Sequence, residues 1–309
     1  MGFFLQVIKV LIKDQLNKGT TFSFEFFPPK SSSTSLELYS TIKALNRLKP
    51  SFVSITYGAG GSTRALTHEL VVKLASEHEF NVASHLTCVG SSADEIHEIL
   101  NRYSAAGICN IMALRGDPPD FRQGFSAPTG GFERATQLVS FIRNHFPSMG
   151  IGVAAYPEGH PETPDRLKEI EYLKAKVDAG ADYICTQLFF DNHDFYDFCE
   201  RCEIAGIKVP ILAGIMPVTT IKMMRRMSSL ALGTHIPARL LRSLVRAESD
   251  DYVEKVGIHW ATEQVRDLLD NKVRGIHFYT LNKSLATLRI YENLGVNSSE
   301  GLSGEKYFI

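Results

Sequence analysis

The sequence is most informative at first for what it lacks. Among its 309 residues, 33 Lys and Arg stand against 34 Asp and Glu, for a formal net charge of −1. No clustered Lys/Arg run and no block of like charge stands out, so neither a nucleic-acid surface nor a charged interaction tail is expected, and a small neutral or anionic ligand is the expected partner. Cysteine is scarce. Cys88, Cys109, Cys185, Cys199 and Cys202 form an odd set without the spacing of a disulfide framework, which points to reduced thiols and a cytoplasmic protein. Cys199-x-x-Cys202 has no second pair and lies in a charged, helical-looking segment, so it is read as structural. No apolar run is long enough to cross a bilayer. The nearest, Phe3–Ile12, lacks a basic flank and a cleavage site, and Phe4, Val7, Ile8 and Leu11 share one helical face, so it reads as an amphipathic helix packed on the body, with no membrane partner. There is no low-complexity linker and no repeat at solenoid spacing.

What is present is an alternation of short β-rich runs and longer amphipathic stretches. Strands are expected near 21–27, 52–56, 82–88, 110–114, 152–156, 183–190, 210–215 and 275–281. Helices are expected near 35–48, 66–79, 93–105, 133–144, 167–179, 194–204, 220–227 and 285–294. Runs such as Ile111-Met112-Ala113-Leu114 are apolar throughout, as parallel strands covered on both faces are. Eight such units in a chain of this length suggest a (β/α)8 TIM barrel, with a doubly wound sheet as the alternative. The N-terminal helix and extra helices within 234–247 and 251–271, before the last strand, complete the expected α/β architecture. Residues 1–296 read as a single catalytic barrel domain, and 297–309, rich in Ser, Gly and Glu, as a loose tail.

One strand carries the first chemical signal. In Phe22-Ser23-Phe24-Glu25-Phe26-Phe27-Pro28-Pro29, the prolines end the ladder, and side-chain alternation puts Ser23, Glu25 and Phe27 on one face. Glu25 therefore sits near the C-terminal end of a strand, where barrels gather their chemistry. A salt-bridged structural glutamate and a functional acid both fit, since a buried glutamate has either a partner or a task. Other strand ends carry polar residues too: Thr56-Tyr57-Gly58-Ala59-Gly60-Gly61, His85, Arg115-Gly116-Asp117, Tyr156-Pro157-Glu158-Gly159-His160 and Gln187. The glycines permit close ligand approach or a plain turn, and the G-x-G-x-x-G spacing of a dinucleotide fold is absent. Around His85 no second His, Cys or carboxylate stands at ligand spacing, so no metal is expected.

Taken in order, these motifs resemble the methylenetetrahydrofolate reductase family. Phe24-Glu25-Phe26-Phe27-Pro28-Pro29, Thr56-Tyr57-Gly58-Ala59-Gly60-Gly61, His85-Leu86-Thr87-Cys88, Ala113-Leu114-Arg115-Gly116-Asp117, Ala155-Tyr156-Pro157-Glu158, Thr186-Gln187 and His277-Phe278-Tyr279-Thr280-Leu281-Asn282 match in the family's sequence, from about Thr21 to Gly295. The resemblance implies a barrel flavoenzyme in which FAD carries a hydride from NADH or NADPH to methylenetetrahydrofolate by a ping-pong mechanism. It yields methyltetrahydrofolate for methionine synthesis, and a homo-oligomer is expected. By likeness Glu25 is the general acid, Asp117 lies by flavin and pterin, and Gln187 holds the pterin. Thr56, Tyr57, Ala59, His85, Arg115, Gly116, Tyr156, His160 and Lys176 match positions around FAD. Glu169 and Tyr172 stand at adenine-end positions where some members have other polar residues. Met223 replaces a glutamine that some members place near substrate, and Lys283 an arginine often found in the ligand pocket. Another pterin- or flavin-dependent barrel enzyme, or a non-catalytic folate- or flavin-binding subunit, is the alternative.

Overall fold

Eight strands of Val-, Ile- and Phe-rich sequence run parallel: β1 (Thr21–Phe26), β2 (Phe52–Ile55), β3 (Val82–Thr87), β4 (Asn110–Leu114), β5 (Gly150–Ala155), β6 (Tyr183–Leu188), β7 (Ile211–Ile215) and β8 (Gly275–Tyr279). In the computed structural model they close in sequence order into one barrel. The closure is the pairing of β1 with β8, which sets Ser23 beside His277 and Glu25 beside Tyr279, and it excludes the doubly wound alternative. The structure describes residues 10–29, 31–57, 64–77, 80–116, 127–160, 162–163, 165–230 and 233–303.

Twelve helices occur among the described residues: α1 (Ile12–Leu16), α2 (Ser32–Asn46), α3 (Arg64–Glu77), α4 (Ala93–Ala105), α5 (Ala135–His145), α6 (Arg166–Asp178), α7 (Asn192–Ile204), α8 (Ile221–Leu230), α9 (Ala238–Val245), α10 (Asp250–Asp270), α11 (Leu285–Asn293) and α12 (Ser299–Ser303). Strand alternation sorts the core into two layers. Phe22, Phe24 and Phe26 point outward and join the apolar layer beneath the helices. The inward set at the barrel's lower end is Phe52, Ala83, Met112, Tyr183, Cys185 and Leu212, packed with Ile12 and Leu16 of α1. Gly152 makes room for this packing, because a Cβ there would lie 2.4 Å from Cζ of Tyr183.

The short helix α1 thus floors the barrel. The amphipathic helix expected over 3–12 is not this element: residues 1–9 lie outside the described residues, and the helix begins at Ile12. The Asn110 side chain explains the late start. It donates to the Val10 carbonyl at 2.9 Å and accepts from the Ile12 N–H at 3.0 Å, holding the chain extended up to Leu11. Lys13 and Arg143 both pair with Asp182, at 3.3 and 2.9 Å, and fasten the floor to the β5–β6 edge.

At the upper end α8, α9 and α10 share a second apolar cluster. Met224, Leu240, Leu244 and Val253 pack there on Leu188, Phe190, Met216 and Val218, which end β6 and β7. The extra helices therefore wall the mouth. The segment expected to be a loose tail is docked as far as Ser303: α12 buries Ser299 and Leu302, and Ser299 donates its N–H to Leu48 at 2.7 Å and its hydroxyl to the same carbonyl at 2.8 Å. Residues 304–309 lie outside the described residues. No helix among the described residues is long and apolar enough to cross a membrane.

Candidate active site at the barrel mouth

Glu25 points into the barrel near the C-terminal end of β1, with its side chain 19% exposed. Its carbonyl accepts from the Thr280 hydroxyl at 2.6 Å, which ties the strand end to the loop after β8. Two imidazoles flank its carboxylate: Oε2 lies 3.6 Å from Nε2 of His85 and 3.8 Å from Nε2 of His277. Both gaps exceed a hydrogen bond, so the pairs are close without being closed. Burial pushes the His85 imidazole down, against an opposing pull from Glu25. His85 is therefore neutral at neutral pH. Its Nε2 is buried without a hydrogen-bond partner.

His277 is held from both sides. Its Nδ1 lies 2.7 Å from the Ser23 hydroxyl and its Nε2 3.2 Å from that of Ser54, and its ring stacks on Phe52. The contacts of His277 with Ser23, Ser54 and Phe52 are not legible in the sequence. Alternation placed Ser23 on the face of Glu25, but nothing local indicates that a histidine 254 positions away meets it.

The other expected residues fall around the same rim. Thr56, at the end of β2, donates its N–H to Phe26 at 2.9 Å, and Tyr57 follows it, partly buried. Arg115 follows β4 and reaches Glu162 at 2.9 Å. Gly116 adopts φ +82, and a Cβ there would lie 2.6 Å from Cγ1 of Val89, so this turn requires glycine. Tyr156 and His160 meet edge to face with ring centroids 4.7 Å apart. Glu169 accepts the His160 N–H at 2.7 Å, and burial raises its carboxyl above the ordinary value. Lys176 is partly buried and donates to the Ala154 carbonyl at 2.6 Å; desolvation, opposed by Glu169, brings it down to about 8. Tyr172 stands apart, 46% exposed, with the Arg134 guanidinium 5.4 Å over its ring. Gln187 lies where the β6–β7 register shifts, its side-chain oxygen accepting the Leu188 N–H at 2.9 Å. Ala59 and Asp117 lie outside the described residues.

Met223 and Lys283 come together in a cavity of about 520 Å³, which Tyr279, Thr41, Glu37 and Glu254 also line. Its rim is shaped by Leu281 and Asn282, both left-handed at φ 51 and 57. The Asn282 side chain accepts the Phe27 N–H at 3.0 Å and donates to the Phe27 carbonyl at 2.8 Å. It completes the edge of β1 where Pro28 and Pro29 cannot. A second group was also missed: Glu158, Asp194 and His235 each bring a potential ligand atom within 4.8 Å of the others. Oε2 of Glu158 and Oδ2 of Asp194 are buried without hydrogen-bond partners, and Glu158 Oε1 accepts the His235 N–H at 2.6 Å.

Fold and site together define a class: a (β/α)8 barrel with an inward carboxylate between two histidines at its C-terminal mouth, beside a ligand-sized cavity. The methylenetetrahydrofolate reductase family model matches residues 11–295. The chain is 39% identical over 304 residues to methylenetetrahydrofolate reductase (NADH) 1 of Arabidopsis thaliana, covering 94% of this chain and 51% of that protein. It is 38% identical over 275 residues to 5,10-methylenetetrahydrofolate reductase of Escherichia coli (strain K12), covering 89% and 90%. The chain belongs to the methylenetetrahydrofolate reductase family. It spans about half the length of several curated relatives that it matches, such as those of Arabidopsis thaliana and Schizosaccharomyces pombe. Among solved structures, an uncharacterized protein from Clostridium thermocellum that binds two copies of 5-methyl-5,6,7,8-tetrahydrofolic acid has the same fold, with a TM-score of 0.65 at 14% identity over 92% of this chain and 99% of that one.

Proposed function

We propose that this protein reduces methylenetetrahydrofolate to methyltetrahydrofolate, with NADH or NADPH as donor and FAD as the carrier, in two separate half-reactions. The observation that carries the reading is the placement of Glu25, in a chain of this family, at the open end of a closed barrel between His85 and His277. The residues present fit a flavin dinucleotide. Arg115 and the partly buried amine of Lys176 would suit a pyrophosphate, the Glu169 carboxylate would suit ribose hydroxyls, and the buried Nε2 of His85, which has no hydrogen-bond partner and lies 3.6 Å from Glu25, would suit a polar atom of a flavin ring system. FAD bound there supplies two-electron carriage from the nicotinamide to the folate's one-carbon unit.

The chain's own part is proton management and positioning. Methylenetetrahydrofolate holds its carbon between two nitrogens, and protonating one lets that C–N bond break with its electrons left on nitrogen, exposing an iminium carbon. Glu25 delivers this proton. Ring systems bound at the mouth would exclude water from the proton transfer. A neutral His85 can accept a hydrogen bond from the protonated acid, provided its Nε2 carries the lone pair. His277, fixed by Ser23 and Ser54, lies where it can return the proton after turnover. Asp117, ionised, would balance the iminium charge. Gln187 would hold the pterin, and Met223 and Lys283 the rest of the substrate.

Absorbance and half-reaction measurements test the reading. The purified protein is expected to be yellow with extractable FAD, bleached by a nicotinamide and recoloured by methylenetetrahydrofolate. A colourless protein that FAD cannot reconstitute, or one whose reduced flavin ignores methylenetetrahydrofolate, would overturn it.

A further inference from the structure

Two carboxylates beyond the C-terminal ends of β5 and β6 lack a counter-ion. Glu158, in the loop after β5, and Asp194, in the first turn of α7, are both partly buried, and each buries one carboxylate oxygen that has no hydrogen-bond partner. Among the described residues neither has an ion-pair partner. The guanidinium groups of this neighbourhood are engaged elsewhere. Arg166 and Arg201 both donate to the Pro157 carbonyl, at 3.2 and 3.0 Å, and Arg201 pairs with Asp197 at 2.9 Å. The N-terminus of α7 favours a negative Asp194, yet Oδ2 of that side chain takes no N–H from it. A buried carboxylate that stays charged needs a cationic partner or a metal; otherwise it holds a proton.

The third member of the group selects among these. His235, in the connection between α8 and α9, is brought to the pair by its backbone: its N–H donates to Oε1 of Glu158 at 2.6 Å, and the Thr234 hydroxyl donates to the Leu188 carbonyl at 3.5 Å. One potential ligand atom from each of Glu158, Asp194 and His235 lies within 4.8 Å of the other two. With Oε1 of Glu158 engaged by that N–H, Oε2 is left to act as a ligand. Ligands about 2.0–2.2 Å from an ion stand roughly 3.5 Å from one another in a tetrahedron, so the three atoms need close by little more than an ångström. The exposed His235 side chain is free to turn by that much. Two carboxylate oxygens and an imidazole nitrogen suit Zn²⁺ or Mn²⁺, whereas Ca²⁺ and Mg²⁺ prefer oxygen throughout.

We propose that Glu158, Asp194 and the imidazole of His235 bind a divalent transition-metal ion, Zn²⁺ or Mn²⁺, which straps the connection between α8 and α9 to the loop after β5 and the start of α7. Three protein ligands leave a fourth position for water. The three segments have no covalent tie near this point, and α8 and α9 rest on the barrel through the apolar cluster at the ends of β6 and β7, so the ion adds a polar fastening to an apolar one. None of its ligands takes part in the proton path proposed above, and the inference stands independently of the folate reading.

The test is calorimetric titration of the full, chelator-treated chain with Zn²⁺, with Mn²⁺ binding followed by electron paramagnetic resonance. One ion per chain is expected to bind with micromolar or tighter affinity, and Zn²⁺ at roughly 100 times its dissociation constant should raise Tm by about 3–6 °C. Glu158→Gln, Asp194→Asn and His235→Ala should each weaken this site at least about tenfold, the loss typical even of a residue that only supports a ligand, and should remove the thermal shift while unfolding stays cooperative. His235 is exposed, so its replacement leaves the packing intact and keeps the test open should a carboxylate variant fail to fold. His97 and His145, with ring centroids 5.5 Å apart, are a competing place for Zn²⁺, and a His97→Ala/His145→Ala control should leave affinity and stoichiometry unchanged. Absence of a one-to-one site would overturn the proposal and leave a proton as the answer to the two carboxylates. A site that persists in the Glu158, Asp194 and His235 variants, or one that disappears in the His97/His145 control, would overturn it as well.

Discussion

The two ends of this barrel are built from the same strands and solve opposite problems. At the floor, Ile12 and Leu16 fill the space between Phe52, Met112, Tyr183 and Leu212, and Lys13, Arg143 and Asp182 form a closed set of ion pairs. At the mouth, Glu25 has imidazoles at 3.6 and 3.8 Å, beyond hydrogen-bond reach, while Leu281 and Asn282 sit in left-handed backbone. The floor is packed for stability, with the Tyr183 hydroxyl as a buried group that has no hydrogen-bond partner. The mouth holds groups whose needs the protein alone leaves partly unmet, as sites that complete themselves with ligands do.

Substitutions should separate the two ends. The largest effect on stability is expected at the floor, where Leu16→Ala should cost about 2–5 kcal/mol in denaturant unfolding and leave turnover per folded molecule near wild type. Asp117→Asn should do the reverse, with FAD retained and stability near wild type, but folate reduction slowed about 10²–10³-fold for loss of one electrostatic stabiliser. Wild-type folate turnover by that variant would remove Asp117 from the account.

Smaller changes sharpen the contrast. Asn282→Ala loses both hydrogen bonds to Phe27 and puts alanine at φ 57, so a loss of about 1–3 kcal/mol is expected. Asn282→Gly relieves the backbone alone, and thermal unfolding of the pair would show which term dominates. The smallest effect is expected at Glu158. Burial, opposed by the His235 N–H and reinforced by Asp194, pushes this carboxyl up to about 7 from an ordinary 4.5. A raised folded value means that the folded state binds the proton more tightly, so stability is full below about pH 4.5 and is lost as pH rises toward 7. For a half-buried group the loss is about 1–2 kcal/mol after solvent screening. Glu158→Gln should flatten that part of the stability profile, and a wild-type slope between pH 5 and 7 in the variant would assign it to another group.

Sequence reasoning reached the barrel because its signals are local. Asn110–Leu114 and Ala93–Ala105 form the expected strand and helix, the first apolar throughout and the second opened by the Ser92–Glu95 capping box. Glu25 was legible for the same reason, since alternation and two prolines fix its face and its place. The remainder depends on closure. That His277 meets Ser23 and Ser54, that Asn282 completes the edge of β1, and that α1 floors the barrel all join residues that only the β1–β8 pairing and the packing of the termini bring together.

The central claim is that Glu25 donates the proton that opens the folate ring. Glu25→Gln keeps the shape of the side chain but cannot donate a proton, and the two half-reactions of that one folded variant should be followed by stopped-flow absorbance. Reduction by NADH or NADPH, which needs no such acid, should proceed at near wild-type rate with normal FAD content, while reoxidation by methylenetetrahydrofolate should fall by about 10²–10⁴-fold. Intact folate turnover, or an equal loss in both halves, would contradict the account.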